Sequence, residues 1–269
     1  MGGLQTSQHP PKFLLNTAIQ IQRVSKVFTT DDGPLVAFGP ASLDIKKGEF
    51  VSLLGPSGCG KSTLLMMLAG LEKPSSGEIS LNQTPVKSPR NDIGVMFQES
   101  TLVPWRTVLG NIELQLELRG EQPSNFRDQI DSLLNSVSLK GMEQRMPHEL
   151  SGGMQQRAAL CQALIHQPQT LLLDEPLGKL DAMTRENIRG DLQRLWLDKK
   201  PTVVMVTHSI EEAVQMSTRV FLISPRPGKI DKVVDIEMDY PRNLAVKQDT
   251  RFIEYLADIH SVFHGYGVL

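Results

Sequence analysis

No apolar stretch in this chain approaches the length needed to cross a bilayer. The longest, at residues 50–54, 64–71 and 202–206, fall far below the ~18 apolar residues that a spanning helix requires. Cysteine is nearly absent. Cys59 and Cys161 are the only two, too few for a disulfide framework and compatible with a reducing compartment. An excess of one charge is missing too: 28 Lys and Arg oppose 30 Asp and Glu, leaving a net charge of −2. A dedicated nucleic-acid binder normally shows a clustered basic excess. Internal repeats, low-complexity tracts and long heptad runs are also lacking. The opening MGGLQTSQHPPKFLLN has neither the charged start nor the apolar middle and cleavage site of a secretory signal. It reads as a flexible lead-in over residues 1–16.

What is present is 269 residues, 40% of them hydrophobic, enough for one large or two closely fused domains. Up to about residue 100 the pattern predicts short apolar strands separated by Gly- and Pro-bearing turns, with one helix over 62–69. From about 105 to 165 the chain turns rich in Leu, Gln, Glu and Arg at helical spacing. Apolar strand patterns then return at 170–173, 201–206 and 220–223. Strands apolar throughout, alternating with helices, predict a parallel sheet covered on both faces and interrupted by a helical insertion. Beyond Pro241, the residues Phe252, Tyr255, Leu256, Ile259 and Phe263 recur at three- and four-residue spacing. That spacing predicts an amphipathic helix packed back on the body.

The segment Gly55-Pro-Ser-Gly-Cys-Gly-Lys-Ser62 fits G-x-x-x-x-G-K-[ST] and lies between the apolar strand 50–54 and a predicted helix. Its glycines let consecutive backbone N–H groups turn inward around phosphate oxygens, and the helix N-terminus adds partial positive charge. Lys61 is then the group that reaches the β- and γ-phosphates, and Ser62 the hydroxyl for Mg²⁺. Cys59 reads as a small filler of the loop. Downstream, Thr170-Leu-Leu-Leu-Asp-Glu175 is a buried strand ending in two carboxylates. Asp174 is the candidate for the metal and Glu175 the candidate general base for the attacking water.

Between these elements stands Leu150-Ser-Gly-Gly-Met-Gln-Gln-Arg157, and with it the chain resembles the ATP-binding-cassette (ABC) ATPases. The likeness runs over roughly residues 17–235, with motifs in the family order. Gln98 resembles the Q-loop glutamine, Leu180-Asp181 the D-loop, and His208 the switch histidine. Phe28, 27 positions before Gly55, stands where the family places an aromatic on adenine; a Phe beside a strand can equally be core. The resemblance implies an α/β P-loop NTPase cassette with a RecA-like core, an antiparallel β subdomain and a helical insertion. The ATPase domain would then span 17–240, its helical part about 100–165, and a helical tail 241–269. It implies ATP and Mg²⁺ as cofactors. Nucleotide would meet Phe28, Gly55, Pro56, Ser57, Gly58, Cys59, Gly60, Lys61, Ser62, Thr63 and Asp181, and also Ser151, Gly152, Gly153 and Gln155 of the signature. Ser62, Gln98 and Asp174 would serve the metal, and Glu175, His208, Gln98 and Lys61 the chemistry. Ser209-Ile-Glu-Glu212 reads as a capping box fixing the strand exit at His208.

In this family the signature completes the site of an opposite subunit, so the resemblance implies a dimer of this chain or of this chain with a homologous ATPase. It also implies membrane permease subunits, an indirect solute-binding protein and a peripheral place on the cytoplasmic face of the membrane, without nucleic acid. Trp105 lies near the segment where such permeases dock and reads either as docking surface or as packing. The Pro-Trp pair, the turn Ser224-Pro-Arg-Pro-Gly228 and the short tail resemble the nitrate/sulfonate/taurine/bicarbonate importer branch. Lys179, where a small D-loop residue is usual, and Thr218-Arg219 depart from its pattern. An exporter or lipid-trafficking cassette, or a soluble ABC ATPase acting on nucleic acid, are the alternatives. The 90 positions between Lys61 and Ser151, free of heptads, disfavour the last.

Overall fold

The computed structural model describes residues 16–99, 101–178 and 180–267. The lead-in, apart from Asn16, and Lys179 lie outside the described residues.

A four-stranded antiparallel sheet runs in the order β2-β1-β4-β5, from β1 (Thr17–Thr30), β2 (Gly33–Lys46), β4 (Ser76–Leu81) and β5 (Thr84–Pro85). The larger sheet holds β3 (Phe50–Leu54), β6 (Ile93–Met96), β7 (Thr170–Asp174), β8 (Thr202–Thr207), β9 (Arg219–Ile223) and β10 (Ile230–Asp235). Its order is β10-β9-β3-β8-β7-β6, parallel except for the antiparallel β10. β3, β7 and β8 are buried at every position, which is why they read as unbroken apolar runs rather than alternations. The first two strands are not short as expected: each spans 14 residues. Register shifts around Arg23, itself at φ 49, carry β1 past the polar residues that interrupt its apolar pattern.

Helix α1 (Lys61–Leu68) lies between the two sheets. Its Leu64, Leu65 and Leu68 pack with Ile19 and Ile79 of one sheet and Val51 and Val204 of the other. On the opposite face sit α2 (Val108–Glu117), α3 (Arg127–Ser136) and α4 (Gly152–Leu164), joined by α5 (Ala182–Lys199). Cys161 is in this second core, and burial pushes its thiol up to about 12; it is inert packing. A third core forms where α6 (Ile210–Met216) and α7 (Thr250–Gly265) cover β9 and β10. Phe252, Ile259 and Phe263 are buried there, with Tyr255 and Leu256 partly so, as the helical spacing predicts.

Ahead of α7, Arg242 is 2% exposed and donates to four backbone carbonyls: Val214, Ser217, Ile236 and Met238. Nothing in the sequence marks this arginine as internal. Desolvation lowers its pKa, and the carbonyl dipoles together with the Tyr240 ring, 4.0 Å from Cζ, compensate the buried charge.

Candidate nucleotide site

Four parallel strands, β3, β8, β7 and β6, deliver the candidate residues to one edge, the carboxyl ends where open α/β sheets bind ligands. From β3 the chain enters residues 55–60 and then α1. Gly58 and Gly60 have φ of 76° and 98°, the left-handed region that L side chains avoid. A Cβ on Gly60 would stand 2.2 Å from the Ala37 carbonyl oxygen, so glycine alone lets the loop lie against β2. Gly60 caps α1 without a side-chain bond, leaving first-turn N–H groups for an anion. Lys61, 5% exposed, folds its ammonium back onto the carbonyls of Gly55 and Pro56, 2.8 Å from each. Cys59 is enclosed by the protein itself, and burial raises its thiol pKa. Arg226 of the β9–β10 turn donates through Nε to Gly58 O at 3.1 Å, tying that turn to the loop.

The acidic half comes from β7. Ser62 Oγ donates to Asp174 Oδ1 at 3.0 Å. Desolvation raises the Asp174 pKa; the Ser62 bond lowers it, Glu175 raises it and Lys61 lowers it. A buried carboxylate with its charge undercompensated beside a hydroxyl is a hard-oxygen pair suited to Mg²⁺, which keeps waters and phosphate as its other ligands. Glu175 has φ 45, an uncommon backbone for a non-glycine residue. Its side chain receives Gln98 Nε2 at Oε2, 3.0 Å away, and has His208 Nδ1 3.2 Å from Oε1. Gln98, Glu175 and His208, from three different strands, therefore meet at one carboxylate.

The other candidates stand apart from this cluster. Ser151 caps α4, its hydroxyl accepting from Met154 N. A Cβ on Gly152 would meet nothing within 4 Å, whereas one on Gly153 would strike Thr184 of α5. Gln155 donates to Pro147 O at 2.9 Å, bracing the preceding loop. Asp181 is spent on capping α5, accepting from Met183 N and Thr184 N; its bonds to Thr184 chiefly lower its pKa. Among the described residues, no hydrogen bond or ion pair joins Ser151, Gly152 or Gly153 to residues 55–62. Phe28 is half-buried on β1, and Lys26 Nζ lies 4.8 Å from its ring centroid, covering the ring with a cation. The capping box is only half formed: Ser209 Oγ receives Glu212 N, but the Glu212 carboxylate turns to Thr207.

A family model described as "ABC transporter" matches residues 38–178, more than half of the chain. The chain belongs to the ABC transporter family. An uncharacterised ABC transporter ATP-binding protein of Methanocaldococcus jannaschii is 40% identical over 249 residues, 92% of each chain. The aliphatic sulfonates import ATP-binding protein SsuB of Bacillus subtilis is 42% identical over 226 residues, 84% of this chain and 88% of that one. Among solved structures, the dimeric ATP-binding cassette MJ0796 bound to ADP and Pi aligns with a TM-score of 0.73 at 32% identity. It covers 82% of this chain and 100% of that one. The molecule is thus an ABC cassette that binds ATP, an ATPase coupled to transport, and it resembles the sulfonate/nitrate importer branch. Among the described residues, no helix is long and apolar enough to cross a membrane.

Proposed function

We propose that this cassette powers uptake of a small sulfonate-like anion through separate membrane permeases. Two copies would sandwich two ATP molecules. The observation that carries the dimer is that two helix starts suited to an anion, at residues 55–62 and at the Ser151 cap, share no hydrogen bond or ion pair among the described residues. A second copy would bring its Ser151, Gly152 and Gly153 to the open side of the phosphate loop. The solved dimeric relative and the sulfonate-import names of the Bacillus relatives support this reading.

In the chemistry we propose, the loop N–H groups and Lys61 hold the β- and γ-phosphates and stabilise the charge that develops on them. Glu175 accepts a proton as a water oxygen attacks the γ-phosphorus and the bond to the ADP oxygen breaks, giving ADP and inorganic phosphate. Gln98 and His208 orient that carboxylate, one at each oxygen. Mg²⁺ held by Ser62 and Asp174 would neutralise phosphate charge. Loss of the γ-phosphate contacts then lets the dimer open.

Trp105 is 76% exposed on the segment between Gln98 and α2, which favours docking over packing at this residue. A permease seated there would hold the cassette at the cytoplasmic face of the membrane. The test is co-purification with the permease encoded beside it, followed by ATPase assays with alkanesulfonate-loaded binding protein. Stimulation by the loaded protein, lost in Trp105→Ala while the isolated cassette keeps its basal rate, is the expected result. Failure of any neighbouring permease to co-purify, or stimulation by no small anion, would remove the importer reading.

A further inference from the structure

Glu175 sits in a closed ring of interactions that the phosphate chemistry does not itself require. One arm is the contact of its carboxylate with His208. The residue before that histidine, Thr207, is 1% exposed and donates from Oγ1 to Glu212 Oε2 at 2.8 Å. Its hydroxyl also accepts from Ser209 N at 3.0 Å, so the strand exit on both sides of His208 is held by one side chain. Glu212 is 5% exposed, and its other oxygen lies 3.6 Å from Arg185 Nε. Arg185 in turn donates to Leu177 O and Leu180 O, at 3.3 and 2.8 Å. These carbonyls belong to the turn that leaves Glu175, whose own carbonyl receives Gly178 N. Glu175 N bonds across to Val206 O, and the ring is complete.

We propose that Arg185 and Glu212 are positioning residues for hydrolysis, coupling the turn after Glu175 to the strand exit that carries His208. The inference rests on Glu175 being the general base. Burying the Glu212 carboxylate is costly, and an ion pair with a half-exposed arginine compensates it incompletely. What the pair supplies is geometry: the planar guanidinium of Arg185 holds two carbonyls by hydrogen bonds, Leu177 O through Nε and Leu180 O through Nη2, with the Glu212 carboxylate beside it as an ion-pair partner. A left-handed glutamate persists only where its surroundings over-determine it. Movement of the turn would therefore reach the histidine through buried groups, and movement of the histidine would reach the turn.

The experiment compares full-length Arg185→Met, Arg185→Lys, Glu212→Gln and the Met/Gln double variant with wild type, measuring kcat, KM for ATP and thermal melting. Glu175→Gln is run alongside to test the base assignment separately. If the ring positions the base, kcat falls roughly tenfold or more in Arg185→Met and Glu212→Gln while KM stays within about twofold. The double variant is then no slower than the slower single one, because both cut the same connection. Arg185→Lys keeps the charge but not the fork, and loses kcat as well. Unchanged kcat beside an inactive Glu175→Gln would overturn the proposal, as would losses that multiply or that track KM and melting temperature. An active Glu175→Gln would instead overturn the reading beneath it.

Discussion

The amide of Gln98 donates to Glu175 Oε2 at 3.0 Å, joining the exit of β6 to the end of β7 at the proposed general base. With His208 at the other oxygen, the carboxylate is held on both sides before any water enters.

Replacing that carboxylate keeps the shape and removes the proposed base. Glu175→Gln is expected to bind ATP normally and to lose about 10²-fold or more in turnover, the usual contribution of general-base catalysis. It should accumulate as an ATP-dependent dimer on size exclusion. Near-normal turnover would move the role of base to another residue.

Lys61→Ala removes the one buried ammonium of the phosphate loop, leaving the Gly55 and Pro56 carbonyls without their donor. Charge-assisted bonds to phosphate contribute about 1.5–3 kcal/mol each, so ATP affinity should drop roughly ten- to hundredfold. Equilibrium dialysis with labelled ATP reads this directly; retained affinity would contradict the loop's role.

The α7 docking face makes a stability prediction. Phe252 is 1% exposed in the third core, and Phe252→Ala should cost about 3–5 kcal/mol by urea unfolding. Ile253, on the same helix and 54% exposed, should tolerate alanine with little change.

His166 is a source of acid sensitivity between about pH 6.5 and 4. Its ring lies beside Ile93 O; burial, aided by the charge of Arg119, lowers its pKa to about 4 from 6.5, against the opposing hydrogen bond. Below pH 6.5 the unfolded chain therefore binds a proton that the folded one refuses, and stability declines as pH falls from about 6.5 to about 4. The urea midpoint of His166→Gln should decline less over that window than wild type. Parallel declines would exclude His166 as the source.

Local chemistry explains which of these features could be read from the chain. The strand 50–54, the turn and the Lys-Ser pair are contiguous, so their pattern carries the phosphate loop without tertiary information. Gln98, Glu175 and His208 follow the ends of three different strands, and only the family resemblance could bring them together beforehand. The half-formed cap at Ser209 shows the limit. Spacing pairs Glu212 with the helix start, but the buried Thr207 hydroxyl and Arg185 compete for its carboxylate and hold it. Asp181 likewise reads as a ligand residue by motif, while its nearest unsatisfied donors are the N–H groups of its own helix. Trp105 had two readings because an aromatic near a helix start looks the same in sequence whether covered or bare.

Arg242 bears on how this chain can be shortened. A cut at residue 240, where the sequence places the end of the catalytic body, would strip the donors from the carbonyls of Val214, Ser217, Ile236 and Met238. It would also deprive Gln193 and Gln215 of the main-chain oxygen they share. Two of the stranded carbonyls, at Val214 and Ser217, lie in and just after the helix that follows His208. A truncated enzyme would thus be an unfolding experiment on the segment around His208, and any change in its activity would say nothing about regulation by the tail.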